Sequence, residues 1–307
     1  MRSTQSYTLV TLGIVAVAVI LWSFNNPKAE RELDNEYKEH IEQNYKVFSL
    51  ATPEEVTFGG GAVPLEKFGV REKLDRELLV NTYWHSNTFL SFKRSNRWFP
   101  VIEPILEKNG IPEDFKYLAV IESGLTNAVS PAGATGFWQF LKGTAKSYGL
   151  EVNDQVDERY HVEKATEAAC RYLNDAYEKY GDWALVAASY NMGMGGVDKQ
   201  LNRQKVDEYW DLLLNQETAR YVYRILAIKE ILNNGGDYGF VVRPKDLYEP
   251  YDVRTLEVDS TISDLAQWSL DNGANYNILK TLNPWLRQSS LDNRSGKTYE
   301  ILLPANS

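Results

Sequence analysis

The chain has 307 residues, and 33 Lys and Arg against 42 Asp and Glu give a formal charge of -9. That balance, with no basic cluster along the chain, argues against electrostatic binding of nucleic acid. A single cysteine excludes an intramolecular disulfide, no metal-ligand cluster is present, and no cofactor is implied.

At the N-terminus, Arg2 precedes an apolar run from Leu9 to Trp22, and residues 1–24 read as an export signal or membrane anchor. The run is shorter than the roughly 20 residues of a full span. Tyr7, Thr8, Ser23 and Phe24 extend it, and no small-x-small cleavage site follows, so an uncleaved anchor is favoured over a cleaved signal. No cysteine follows for lipid attachment. Lys28 to Lys46 is charged with scattered apolar positions and reads as a juxtamembrane helix or tether. Phe58-Gly59-Gly60-Gly61-Ala62-Val63-Pro64 reads as a flexible stretch, so residues 25–65 form a linker. Helical apolar spacing over Arg71 to Leu90 and Pro100 to Leu106 then opens a domain assigned to residues 66–245.

The richest segment runs from Asn109 to Phe140. Pro112 suits a first helical position, and Phe115, Leu118, Ala119 and Glu122 share one helix face, while Tyr117, Val120 and Ile121 make the other faces apolar. Such a helix is buried, and Gly124 ends it. Desolvation of Glu122 favours its protonated form, as a general acid near neutral pH requires; a structural carboxylate paired with an arginine fits the local pattern equally well. Ser130 to Phe140 then form a small-residue loop closing on aromatics around the Gln139 amide, a composition that suits a sugar cleft.

Asp154, Asp157 and Glu158 read as solvated surface before a helix over Ala165 to Tyr180, which His161 helps to enter near Val162. Cys170 lies in the apolar stripe of that helix and reads as a small buried side chain, because His40, His85 and His161 fall in no motif that would support a thiol nucleophile. Helical spacing returns over Asp182 to Asn191 and Thr218 to Leu232, with Gly235-Gly236 as a stop. The middle of the chain is therefore mainly α, and its residues 66–245 suffice for a core of their own. Beyond a boundary near residue 246 the order is a short strand from Leu256, a helix near Ile262 to Ser269, a helix around Tyr276 to Leu282 and a strand at Tyr299 to Leu303. This predicts a small α+β (βααβ) domain over 246–307.

Four ordered stations carry a family resemblance. Glu122-Ser123-Gly124-Leu125, Ser130 to Gly133 with Gly136 to Phe140, Ala187 to Gly193, and Glu217-Thr218 with Tyr221-Val222 resemble the signature of lytic transglycosylases with a goose-lysozyme-like domain. Asp157-Glu158-Arg159-Tyr160 further resembles the membrane-bound lytic murein transglycosylase D branch, and Leu282-Asn283-Pro284-Trp285-Leu286 resembles the Leu-Asn-Pro segment of a LysM glycan-binding module. Phe137-Trp138, Leu141 and Met192 depart from common family residues, as does Val258 to Ile262 where LysM modules open with Gly-Asp-Thr-Leu.

The resemblance implies a lysozyme-like helical catalytic domain that cleaves the β-1,4 bond between N-acetylmuramic acid and N-acetylglucosamine with a 1,6-anhydro product. It implies Glu122 as the acid, Ser130, Gln139, Tyr190 and Asn191 lining the cleft, and Tyr221 facing Glu122. Outside the resemblance, Tyr190 reads as a core aromatic, Asn191 as a helix C-cap and Ser130 as a turn residue. The implied partners are peptidoglycan glycan strands and, through the N-terminal segment, the membrane, on the periplasmic side of a bacterial envelope. Two alternatives stand beside this reading: a goose-type muramidase that hydrolyses the same bond, and a non-catalytic peptidoglycan-binding scaffold.

Overall fold

A computed structural model describes residues 27–44 and 47–305, and the chain divides into two units, Met1–Ser49 and Leu50–Ser307. The apolar run from Leu9 to Trp22 lies outside the described residues. Among the described residues, no helix is long and apolar enough to cross a membrane. The first unit contains α1 (Pro27–Asn44), which opens on proline where no intrahelical donor is lost.

The second unit begins with chain that packs rather than tethers. Leu50, Val56, Phe58, Val63 and Leu65 are all buried in the main core. The glycine-rich stretch expected to be flexible is a tight antiparallel hairpin, β1 (Thr57–Phe58) with β2 (Gly61–Ala62), in register Phe58↔Gly61. Two interactions fix it: Phe58 anchors it in the core, and the Gly59 N–H donates to Asp114 Oδ2 at 2.7 Å. Gly59 is at φ 58°, and a Cβ there would lie 2.5 Å from Trp183 Cδ1, so glycine permits both the turn and the contact.

Two long helices follow, α2 (Val70–Tyr83) and α3 (His85–Lys108), separated at Trp84 (φ −90°, ψ 57°). The stretch from Arg71 to Leu90, read as continuous helical spacing, is therefore divided at Trp84, and α3 continues through Pro100 and Pro104 to take in Pro100 to Leu106. Buried Ile102 and Leu106 in its last turns supply the packing that offsets the lost backbone bonds. A 3₁₀ turn at Glu113–Phe115 leads into the short α4 (Lys116–Ser123), and α5 (Lys142–Ser147) follows the loop. Next come α6 (Val162–Tyr180), α7 (Trp183–Met192), α8 (Met194–Gln204) and α9 (Gln216–Asn233). α9 is the central helix: Tyr221, Val222, Ile225, Leu226 and Ile231 are buried as it packs on α2, α4 and α7. Its entry is fixed by Asn215, whose side chain accepts from Thr218 N.

The C-terminal residues form the expected βααβ unit: β3 (Val253–Val258), α10 (Leu265–Asp271), α11 (Tyr276–Leu282) and β4 (Tyr299–Pro304). β3 and β4 pair antiparallel with Leu256 opposite Ile301. Asp264 and Asn275 cap the two helices through their side-chain oxygens. Leu265, Leu279, Leu286, Leu291, Ile301 and Leu303 form a core in which Val156 and Tyr160 of the preceding domain also take part. The molecule is therefore mainly α with a small α+β C-terminal module.

Candidate active site

α4 is short and almost wholly buried over Lys116–Val120, and it ends where Gly124, at φ 61°, returns its N–H to Val120 O at 2.8 Å. Glu122 sits in this last turn, half-buried in the wall of a cavity of about 380 Å³. Two arginines grip the carbonyls on either side of it. Arg224 Nη2 donates to Ile121 O at 2.9 Å, and Arg94 Nη1 donates to Gly124 O at 3.1 Å. These contacts place cationic donors at a helix C-terminus, where the last carbonyls lack intrahelical partners.

Burial raises the Glu122 carboxyl above the ordinary glutamate value; the hydrogen bond from Tyr221 and the charge of Arg224 pull the other way, and the charge of Glu217 adds to the rise. Desolvation is the largest influence, so the protonated acid is favoured. Tyr221 Oη donates to Glu122 Oε1. Tyr190 is close enough for the Glu122 charge to act on it, and burial together with that charge holds both phenols well above their usual value. Both hydroxyls therefore remain donors, Tyr190 to Trp138 O at 2.8 Å.

Asn191 is fixed by the Glu-Thr pair of the last station. Its Nδ2 donates to Glu217 Oε1 at 3.0 Å, and its Oδ1 accepts from Thr218 Oγ1 at 2.7 Å. Two motifs that are 26 residues apart thus meet at one side chain. Gln139 and Ser130 serve the loop itself. The Gln139 Nε2 donates to Ala128 O at 3.0 Å and to Gly136 O at 2.8 Å, holding Gln139 in a left-handed conformation at φ 48°. Ser130 Oγ accepts from Ala134 N at 3.0 Å, the turn arrangement.

The loop aromatics differ from expectation. Phe137, Trp138 and Phe140 are buried in the main core, with Trp138 Nε1 donating to Thr166 Oγ1 at 2.9 Å, so they support the cleft from behind. Asp157 and Glu158, read as solvated, are buried as well. Cys170 is fully buried, and burial pushes its thiol to about 12, which removes it as a nucleophile at physiological pH.

Several residues around Glu122 escaped sequence reading. Glu77 of α2 lines the same cavity and is 1% exposed. Arg220 holds it bidentately (Nε–Oε1 2.7 Å, Nη2–Oε2 3.1 Å), and Arg76 adds a further bond. Trp84, Asn81 and Asn87 complete that wall, with Trp84 58% exposed. A signal existed for some of these: Glu77 lies between Leu74 and Leu78 on an apolar helix face, just as Glu122 does, and Arg220 and Arg224 recur one turn apart on either side of Tyr221.

A family model described as "Transglycosylase SLT domain" matches residues 100–213, the segment that contains Glu122, the loop and Asn191. The chain carries a transglycosylase SLT domain. A second model, "Soluble lytic transglycosylase C-terminal LysM-like domain", matches residues 254–307 behind the SLT domain. Membrane-bound lytic murein transglycosylase D of Escherichia coli strain K12 is 31% identical over 241 residues, covering 76% of this chain and 51% of that protein. The same protein of E. coli O6:H1 matches equally. The chain thus spans about half the length of the curated relatives it matches. Among solved structures, the 70 kDa soluble lytic transglycosylase SLT70 of E. coli aligns at 18% identity and TM-score 0.40, over 60% of this chain and 35% of that one. An inactive mutant of lytic transglycosylase Slt from Pseudomonas aeruginosa aligns at 16% identity and TM-score 0.37, over 59% and 35%.

Proposed function

We propose that this chain is a peptidoglycan lytic transglycosylase in which Glu122 is the sole acid and base. The protonated Glu122 carboxyl donates its proton to the glycosidic oxygen between N-acetylmuramic acid and N-acetylglucosamine, and the C1–O4 bond breaks. The resulting carboxylate then accepts the proton of the muramoyl C6 hydroxyl as O6 bonds to C1, giving the 1,6-anhydro product. No water is consumed, and proximity replaces a second carboxylate. The observation that carries this reading is the desolvated Glu122, raised in pKa and facing a polar cavity with Tyr221 donating to it. Hydrolysis by a paired-carboxylate route would need a second carboxylate free to activate water. Glu77, in the same cavity, is occupied by Arg220 and Arg76, and Glu217 by Asn191, which favours the intramolecular route over a muramidase.

In this reading Tyr190, Asn191 and Tyr221 shape the saccharide site, with Ser130 and Gln139 holding its loop. The exposed face of Trp84 offers a stacking surface for a sugar ring. The enzyme acts on the periplasmic side of the bacterial envelope, with residues 1–24 as its anchor and peptidoglycan strands as its partner. Purified peptidoglycan incubated with the full chain releases anhydromuropeptides identifiable by mass spectrometry. Glu122→Gln lowers the rate by about 10²–10⁴-fold, the usual contribution of a general acid. Products with reducing ends would support the muramidase. Retention on sacculi without release would support the scaffold.

A further inference from the structure

The segment from Glu151 to Tyr160 is charged in sequence yet built into the molecule, and it joins the C-terminal module to the loop beside Glu122. On the module side, Val156 pairs with Leu286 in an isolated antiparallel bridge, Asp157 N donates to Trp285 O at 2.9 Å, and Arg287 N donates to Gln155 O at 2.7 Å. Lys297 Nζ reaches Glu151 at 2.6 Å and Glu158 at 3.2 Å. Val156 and Tyr160 enter the apolar core of the module, and the Arg287 guanidinium lies 4.1 Å over the Tyr160 ring. The Leu282–Leu286 turn that resembles a glycan-binding segment is thus engaged with the module's own chain. Asn283 is fully buried and bonded to Leu302 O at 2.7 Å, while Trp285 is 3% exposed.

On the loop side, the buried Asp157 and Arg159 form a bidentate pair (2.9 and 2.7 Å), which leaves Arg159 Nη1 aimed at the loop backbone. It donates to both Gly133 O and Phe140 O at 3.1 Å, clamping the two ends of the loop. Gly136, at φ 81°, lets the loop close on Arg159, since a Cβ there would stand 1.9 Å from the Arg159 carbonyl oxygen. The loop in turn meets the catalytic helix, where Ser123 Oγ donates to Phe137 O at 2.9 Å, and it accepts from Tyr190 at Trp138 O. One bonded path therefore runs from Trp285 through Asp157, Arg159 and the loop to the neighbour of Glu122.

Resting on the lytic transglycosylase reading, we infer that the C-terminal module braces the substrate loop, with Arg159 as the positioning residue, and that it supports glycan binding through this loop rather than through a glycan surface of its own. An arginine is required because only its planar fork can hold the Asp157 carboxylate and the two carbonyls together. Arg159 touches no reacting atom, so its loss acts on KM more than on kcat.

The test compares Arg159→Lys, Lys297→Met and, on the 61%-exposed face of the module, Leu270→Ala, all in the full chain. Melting temperatures, kcat and KM for anhydromuropeptide release, and hydrogen exchange at the 133–140 amides are measured. In Arg159→Lys and Lys297→Met, KM rises about tenfold or more, kcat and its pH profile hold, and the loop amides exchange faster while those of 116–121 do not. Leu270→Ala changes none of these. A fall in melting temperature with KM and loop exchange unmoved would overturn the inference, as would a Leu270 variant that alone loses affinity for sacculi. Should Arg159→Lys fail to fold, Lys297→Met decides. Because exchange needs no substrate, an inactive wild type would defeat the functional reading while leaving the brace measurable.

Discussion

Glu122 sits where α4 stops, and burial there raises its carboxyl value. An exposed glutamate is ionised at neutral pH, whereas burial here raises the carboxyl value, with Tyr221 and Arg224 holding the rise in check. In the proposed mechanism the acid form is the one that reacts, so activity should decline as pH rises through that raised value. Tyr221→Phe removes an influence that lowers it and should move the alkaline limb of the kcat/KM profile to higher pH. A limb that stays or moves down would show that Tyr221 does not act on Glu122. The same displacement affects stability. The folded state binds more protons than the unfolded one between the ordinary and the raised value, so stability falls as pH rises through that window. Glu122→Gln should then raise the melting temperature at neutral pH, with a smaller gain in acid; calorimetry at two pH values checks this. The place of Glu122 at the end of a buried helix was legible because a lone carboxylate interrupts an apolar stretch before a glycine, while its role as an acid rested on the resemblance. Gln139 and Ser130 were less so, since sequence cannot tell a side chain that faces a ligand from one bonded to its own loop.

At the level of elements, close approach explains where sequence reading and structure part. The stretch around Gly59 reads as loose because three glycines adjoin, yet the hairpin is fixed by Phe58 and by the space that Gly59 leaves for Trp183. Gly59→Ala should cost on the order of 2–4 kcal/mol, from left-handed strain plus overpacking, seen as an earlier unfolding midpoint in denaturant with an unchanged slope. Gly136→Ala, placed 1.9 Å from the Arg159 carbonyl, should cost at least as much and lower activity as well. α8 went unseen because Gly193, Gly195 and Gly196 mask its start, whereas α6 and α9 followed from their apolar spacing. The loop's composition suits a sugar cleft, but the rings of Phe137, Trp138 and Phe140 fill the core.

On the scale of the whole molecule, the order of helical domain and βααβ module was readable from the change in periodicity after Gly236. Their joint was not, because the bonds between Glu151–Tyr160 and Trp285–Lys297 connect segments more than a hundred residues apart. The acidic stretch read as solvated surface is that joint. Asp157→Asn should therefore weaken its loop side, where the carboxylate holds Arg159, with a loss of about 3–5 kcal/mol for a buried pair deprived of one charge, read by thermal unfolding. A lyase and a hydrolase differ in what replaces the glycosidic bond. Digestion of peptidoglycan in heavy-oxygen water, followed by mass analysis of the new muramoyl ends, separates the two. The proposed mechanism gives anhydro ends that carry no label and disappear with Glu122→Gln; labelled reducing ends would mean that water, not the C6 hydroxyl, attacks.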